Sequence, residues 1–259
     1  MKPAVLLFLA FVTGAMTAGA SAAPDCPRPG VLGTSRTLAV DPSAYPRLGT
    51  KSFPETLPLA DKEVVLTFDD GPNPAFTPKV LAALASECVR ATFFLIGRDA
   101  EAHPALVRRI AAEGHTVGHH SWSHPYLARI APAAAIADID RGIAADDAAL
   151  GVATGTTPFF RFPYFESTPA LLDLMQSRGM AVFGADFWAS DWVPMTPQQQ
   201  LALLTERLNH AGRGIILLHD PRAQTVAMLP DFLRYLRQNG YRVVHIVPAK
   251  PAAHAGNAK

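Results

Sequence analysis

The chain is 259 residues long and 49% hydrophobic, with 23 basic and 22 acidic residues. A near-neutral chain without a basic stripe offers no footing for nucleic acid. This length suits one domain of the larger kind with ample apolar residues for a core, and the charge balance suits a neutral or weakly charged substrate such as a glycan. Lys2 is the only charge in residues 1–22, Ala4 to Met16 is mostly apolar or small, and Ala20-Ser21-Ala22 fits an A-x-A cleavage site. This reads as a secretory signal peptide over 1–22. Thr13, Gly14 and Thr17 interrupt the run, which falls short of the roughly 20 apolar residues of a membrane span. The chain is therefore expected to be exported, to the periplasm or outside the cell, with no stable membrane anchor after cleavage. Loss of Lys2 leaves basic and acidic residues level.

Residues 23–61, rich in Pro and Gly without a sustained period, read as an extended N-terminal arm wrapped on the surface. An even cysteine count in an exported chain suggests a disulfide between Cys26 and Cys88 that pins the arm to the domain. The alternative is two unpaired thiols, one of them buried. From Glu63 the pattern alternates. Strands are expected at Glu63–Phe68, Ala91–Leu95, Thr116–Gly118, Phe159–Phe162, Ala181–Ala185, Ile215–Leu218 and Arg242–Val247. Between them, helices are expected at Pro78–Glu87, Pro104–Glu113, Pro132–Leu150, Pro169–Arg178, Pro197–His210 and Gln224–Asn239. Thr77-Pro78, Thr168-Pro169 and Thr196-Pro197 each set a capping hydroxyl before a first-turn proline. Gly114, Gly179, Gly212 and Gly240 sit where left-handed C-caps are needed. The expected fold is α/β, a distorted seven-stranded (β/α) barrel over 62–247, followed by a disordered tail over 248–259.

In such a barrel the chemistry lies at the C-terminal ends of the strands. Thr67-Phe68-Asp69-Asp70-Gly71-Pro72 follows the first strand, and His120-Ser121-Trp122-Ser123-His124 follows the third. Two imidazoles at i, i+4 on one helical turn and one carboxylate can hold a divalent metal with positions open, and the spare carboxylate can act as a base. The ordinary reading of acidic residues in such a turn is that they are merely solvated. His115 and His119 share the i, i+4 spacing and are the rival metal pair, but the run between them reads as strand, which would separate them. His219 closes the apolar strand Gly214–Leu218 with Leu217 on the same face. Asp191 could be its carboxylate partner and Trp192 an apolar wall, although simple core packing explains Trp192 equally well. Arg161 must find an anion or reach water. Asp69 is the natural partner, and the pair would keep that carboxylate ionised.

Taken together these motifs resemble the polysaccharide deacetylases, the carbohydrate esterases that include chitin, peptidoglycan and acetylxylan deacetylases. The likeness covers roughly Lys62 to Val247. The first motif, T-F-D-D-G-P, is matched in full at Thr67–Pro72, and the second, H-[S/T]-x-x-H, at His120–His124. The third, R-x-P-Y-G, stands as Arg161-Phe162-Pro163-Tyr164-Phe165, the fourth as Asp191-Trp192, and the fifth, L-x-H, as Leu217-Leu218-His219.

The resemblance implies Asp69 as catalytic base, Asp70, His120 and His124 as metal ligands, and His219 as the acid that protonates the leaving amine. It implies the Tyr164 N–H as an oxyanion donor, Arg161 and Asp191 as tuning residues of base and acid, and Trp192 with Leu217 as the pocket for the acetyl methyl. The cofactor would be a divalent metal, with zinc favoured by abundance and cobalt or nickel compatible with the donors. The implied activity is deacetylation of an N-acetylated, chitin-like or peptidoglycan-like glycan. O-deacetylation of a xylan-type glycan, hydrolysis of a small amide and a catalytically silent glycan-binding barrel are the alternatives. Two positions depart from the family pattern. Phe165 replaces the glycine of the third motif, and Trp188 stands where the fourth usually has an acid, for which Asp186 is the nearby substitute.

Overall fold

The computed structural model describes residues 28–151 and 157–249. The signal segment 1–22, Cys26 and residues 250–259 lie outside the described residues. Among the described residues no helix is long and apolar enough to cross a membrane.

All seven expected strands form. They are β3 (Glu63–Asp69), β4 (Thr92–Leu95), β5 (Thr116–His119), β6 (Phe159–Phe160), β7 (Ala181–Phe183), β9 (Gly214–His219) and β10 (Arg242–Pro248). Three more join them: β1 (Thr34–Val40), β2 (Arg47–Leu48) and β8 (Phe187–Trp188). Every pairing is parallel. The ladder runs β1-β10-β3-β4-β5-β6-β7-β2, and β9 takes the other edge of β3 with β8 beyond it. Among the described residues the ladder does not close on itself, but its concave face behaves as a barrel interior. Val65, Phe94, Phe159, Ala181, Phe183, Ile215, Val244 and Ile246, from six strands, meet in one buried cluster. The alternate residues Val64, Leu66, Phe68, Phe93, Ile216 and Leu218 point outward to the helices. Period-two alternation with both faces apolar explains why β3 is buried along its whole length.

The helices are α1 (Thr77–Ser86), α2 (Gly97–Ala102), α3 (Pro104–Ala112), α4 (Pro132–Leu150), α5 (Pro169–Ser177), α6 (Pro197–Ala211) and α7 (Ala223–Gln238). Thr168 caps α5 by accepting from Leu171 N–H. Thr196 caps α6 in a reciprocal box with Gln199. Thr77 does not cap: α1 begins at that residue, and its hydroxyl is engaged elsewhere. Helix α2 escaped the sequence reading because it has six residues and no side-chain cap.

The expected surface arm differs most. Thr34–Val40 pairs with β10, Arg47–Leu48 pairs with β7, and Val40, Leu48, Leu57 and Leu59 fill the inner cluster. Apolar side chains at the open end of the curled sheet must be covered, and this segment covers them. Asp186 anchors it, accepting from Thr50 N–H and hydroxyl (both 2.9 Å), Thr56 hydroxyl (2.7 Å) and Ile215 N–H (2.7 Å). At the far end, order persists beyond 247: Pro248 completes β10 and Ala249 N–H donates to Val40 C=O at 2.9 Å.

Candidate metal and hydrolytic centre

Asp69 ends the inner face of β3, and Arg161 follows β6 on the same interior. Arg161 is wholly buried yet fully engaged. Its Nη1 donates to Asp69 Oδ1 (2.7 Å) and Thr67 Oγ1 (2.8 Å), its Nη2 to Gly184 C=O (2.8 Å) and its Nε to Phe183 C=O (3.3 Å). The Phe94 ring lies 4.2 Å beneath the guanidinium. The expected pairing is present, but its effect on Asp69 differs. Burial pushes the Asp69 carboxyl above the usual carboxylate range, and the charges of Arg161 and His219 only pull it part of the way back. Desolvation outweighs the ion pair because Asp69 is nearly fully buried. A base raised in this way is better matched to proton abstraction near neutral pH than an ordinary aspartate.

Asp70, His120 and His124 converge, with one potential ligand atom from each lying within 4.8 Å of the others. His120 is buried, and burial drives its imidazolium pKa down to about 3, against the pull of Asp70. The ring is therefore neutral. Its Nδ1 lies 2.7 Å from Arg161 C=O, and a carbonyl only accepts, so the proton is on Nδ1 and the lone pair is on Nε2. That lone pair faces Asp70 Oδ1 at 3.5 Å, and His124 Nε2 lies 3.3 Å from the same oxygen. Asp70 Oδ1 is buried without a hydrogen-bond donor among the described residues. A carboxylate oxygen gathered with imidazole nitrogens and given no donor is a costly arrangement on its own. It suits a divalent cation, and the Nδ1–H to carbonyl bond is the outer support that orients a ligating histidine.

The loop carrying these histidines is not the expected helical turn. His120–Pro125 is irregular, and Ser121 (φ 63°) and His124 (φ 58°) are left-handed. The imidazoles meet because the backbone doubles back, not because of a 3.6-residue period. Two helices hold the loop. Asp138 on α4 accepts from Trp122 N–H (2.9 Å), Ser123 N–H (3.2 Å) and Ser123 hydroxyl (2.6 Å). At the start of α2, Gly97 N–H donates to Ser121 C=O (2.9 Å) and Arg98 N–H to Trp122 C=O (3.0 Å). Gly142 lets α4 approach closely, for a Cβ there would sit 2.4 Å from the Ser121 carbonyl carbon. Sequence reasoning missed Asp138, which sits mid-helix and looks like any solvated acid. Asp138→Ala is expected to weaken binding of a divalent metal about 10–100-fold, as loss of an outer support does. Calorimetric titration of the apoprotein would measure it.

His219 ends β9 directly across from Asp69 in the ladder. Asp191 holds it twice, with Oδ1 on Nδ1 and Oδ2 on the backbone N–H, both at 2.6 Å. Thr225 hydroxyl donates to the same carboxylate at 2.7 Å. Burial disfavours the charged ring, but the bond to Asp191 and the negative charges of Asp191, Asp70 and Asp69 outweigh it, so the His219 pKa is raised. Asp191 moves the opposite way: burial opposes its ionisation, and its bonds from His219 and Thr225 prevail to lower its pKa. Trp192 is exposed, its ring edge-on to His219 at 5.6 Å, which favours the wall over core packing. Leu217 is buried, aligned in the ladder with Thr67 and Trp188.

Tyr164 and Phe165 are both left-handed (φ 59° and 57°). A glycine takes this conformation without strain, so Phe165 adopts a backbone that favours the residue it replaces. Its ring stacks on Trp188 at 6.2 Å, and Trp188 meets Trp192 at 5.9 Å, giving one aromatic rim. Tyr164 has other partners, stacked on Tyr126 at 3.7 Å and edge-on to His124 at 4.6 Å. The next two N–H groups are spent within the turn, on Phe162 C=O and Pro163 C=O. Asp186 does not substitute for the missing acid at Trp188; its oxygens serve the N-terminal segment, as described above. The rival histidines are dispersed: His115 Nδ1 accepts from Ala91 N–H (3.1 Å), and His119 bonds Asp146 (2.8 Å) and Thr157 C=O (3.1 Å). Among the described residues no cysteine is free, and Cys26, the expected partner of Cys88, lies outside them.

A family model described as polysaccharide deacetylase matches residues 57–183. The chain is 34% identical over 207 residues to a chitooligosaccharide deacetylase of Sinorhizobium fredii, covering 74% of this chain and 91% of that protein. It is 55% identical over 73 residues to a peptidoglycan-N-acetylglucosamine deacetylase of Bacillus cereus, but spans only 26% of that protein. A solved peptidoglycan deacetylase of Bdellovibrio bacteriovorus superposes with a TM-score of 0.74 at 33% identity, over 84% of this chain and 60% of that one.

Proposed function

Because the chain belongs to the polysaccharide deacetylase family, we propose that it is an exported, metal-dependent hydrolase that removes N-acetyl groups from a chitin-like or peptidoglycan-like glycan. The observation that carries this reading is the convergence of Asp70 Oδ1 with the nitrogens of His120 and His124, flanked by a buried carboxylate and a carboxylate-held histidine. Asp70, His120 and His124 would hold the divalent cation, and their two nitrogens and one oxygen suit zinc, cobalt or nickel. When bound, the cation supplies Lewis-acid polarisation of the acetyl carbonyl and lowers the pKa of a water.

The remaining chemistry belongs to the chain. Arg161 occupies Asp69 Oδ1, which leaves Oδ2 to take a proton from the attacking water. Asp191 occupies Nδ1 of His219, which leaves Nε2 to hand its proton to the departing amine. The Tyr164 N–H donates to the oxygen that gains charge, a contact worth roughly 3–4 kcal/mol in comparable sites. Trp192 and Leu217 enclose the acetyl methyl. The decisive experiment measures metal content and acetate release on one protein sample, with N-acetylglucosamine oligomers and acetylxylan in parallel. About one metal per chain and chelator-sensitive release from the N-acetylated oligomers are expected; absence of bound metal would defeat the proposal.

The acid must be protonated to act, so activity is lost as pH rises through the pKa of His219. Asp191 raises that pKa. Asp191→Asn is therefore expected to shift the alkaline limb of the kcat profile to lower pH, and an unmoved limb would remove Asp191 from this role.

A further inference from the structure

Asp220 follows His219 in sequence but takes no part in the chemistry above. It is wholly buried. Its backbone N–H donates to Asp69 C=O at 2.9 Å. Its Oδ2 accepts the Thr77 hydroxyl at 2.5 Å, and the same Thr77 oxygen accepts Asn73 N–H at 2.7 Å. One residue thus holds both ends of the 69–73 turn, Asp69 directly and Asn73 through Thr77.

Between those ends lies Gly71, whose φ is not left-handed, so conformation does not explain the glycine. Space does. An ideal Cβ at position 71 would lie 2.2 Å from Asp220 Oδ2 and 3.1 Å from its Cγ. The carboxylate fills the volume that any side chain at 71 would need. On its other side the turn is tied by Ile96 N–H to Gly71 C=O at 2.9 Å. Asp70, left-handed at φ 69°, is therefore carried on a loop folded round the Asp220 carboxyl.

We propose that Asp220 is a positioning residue of this centre. It sets the Asp69-Asp70 turn against the β9 strand end that bears His219, and so fixes Asp70 relative to His120 and His124. Gly71 and Asp220 are a steric pair, each requiring the other. Asp220 acts through Asp70 as the metal ligand proposed above, and it lies outside the five motifs.

The test is titration of the apoprotein with Zn²⁺ alone, alongside kcat and KM for acetate release and a thermal melt of each variant. Asp220→Ala is expected to weaken Zn²⁺ binding about tenfold or more, in the range found for lost outer supports, and to lower kcat with little change in KM. Asp220→Asn keeps an acceptor for Thr77 and should restore most of both. Thr77→Val, close in shape, should move Zn²⁺ affinity in the same direction by less, and it decides the matter if Asp220→Ala does not fold. Gly71→Ala should be severe in the native background and much milder beside Asp220→Ala. Folded variants with native Zn²⁺ affinity, or a Gly71→Ala effect equal in both backgrounds, would overturn the proposal. If the native protein released no acetate, the functional reading would fail while the Zn²⁺ series still judged Asp220.

Discussion

Replacing Asp69 by Asn is expected to lower kcat about 10²–10⁴-fold, the span of a lost general base, with KM and bound metal near native. The substitution is nearly isosteric, and the amide oxygen can still accept from Arg161 Nη1, now 2.7 Å from Oδ1. The loss in turnover then reports the missing proton affinity. Arg161 is wholly buried and would lose its counter-charge, so stability should also fall; breaking a buried pair by removing one partner costs about 3–5 kcal/mol. Thermal melting beside the kinetics separates the two effects. A folded variant that retained native turnover would eliminate Asp69 as the base.

His219→Ala is expected to divide substrates by their leaving group. An amine must be protonated to depart, so N-deacetylation should lose about 10²–10⁴-fold in kcat. The alcohol of an O-acetyl ester departs with far less help, so acetylxylan should suffer a much smaller loss. The two substrates measured side by side on the same variant give a ratio independent of the folded fraction. Equal small losses on both would remove His219 from the role of acid.

The centre was legible because Asp69 and His219 end apolar strands and the other candidates follow strand ends, and in a parallel sheet those ends gather. Asp69 and His219 could be anticipated as neighbours without knowing the register that pairs them. The conformation joining His120 to His124 was not legible. Ser121 and His124 are left-handed, and neither is a glycine or asparagine that would announce it. The i, i+4 spacing pointed to the pair that the structure brings together with Asp70, but not for the reason of a helical period. Asp138 and Asp220 were missed because a carboxylate that binds backbone N–H groups or a hydroxyl looks, in sequence, like one that binds water. Gly71 had a signal, but a Gly-Pro dipeptide speaks of turns, and only the contact with Asp220 reveals a shortage of space. The 23–61 segment was misjudged because its Pro and Gly residues mask a short alternation, and Val40 and Leu48 turned out to be core.

The pairing of Thr34–Val40 with Val243–Pro248 bears on how the molecule comes into being. These partners are separated by nearly the whole chain, and contacts of such separation form late and slowly. Strand β3, which carries Asp69, also takes both β9 and β10 as neighbours. A chain emerging from its N-terminus during synthesis presents Asp69 long before His219 arrives. Until the final strand docks, apolar strand edges stay open to wrong partners. Completion of the sheet therefore waits on the end of the chain, and a chain shortened by its last eight described residues would lose β10 and the partner of β1 together.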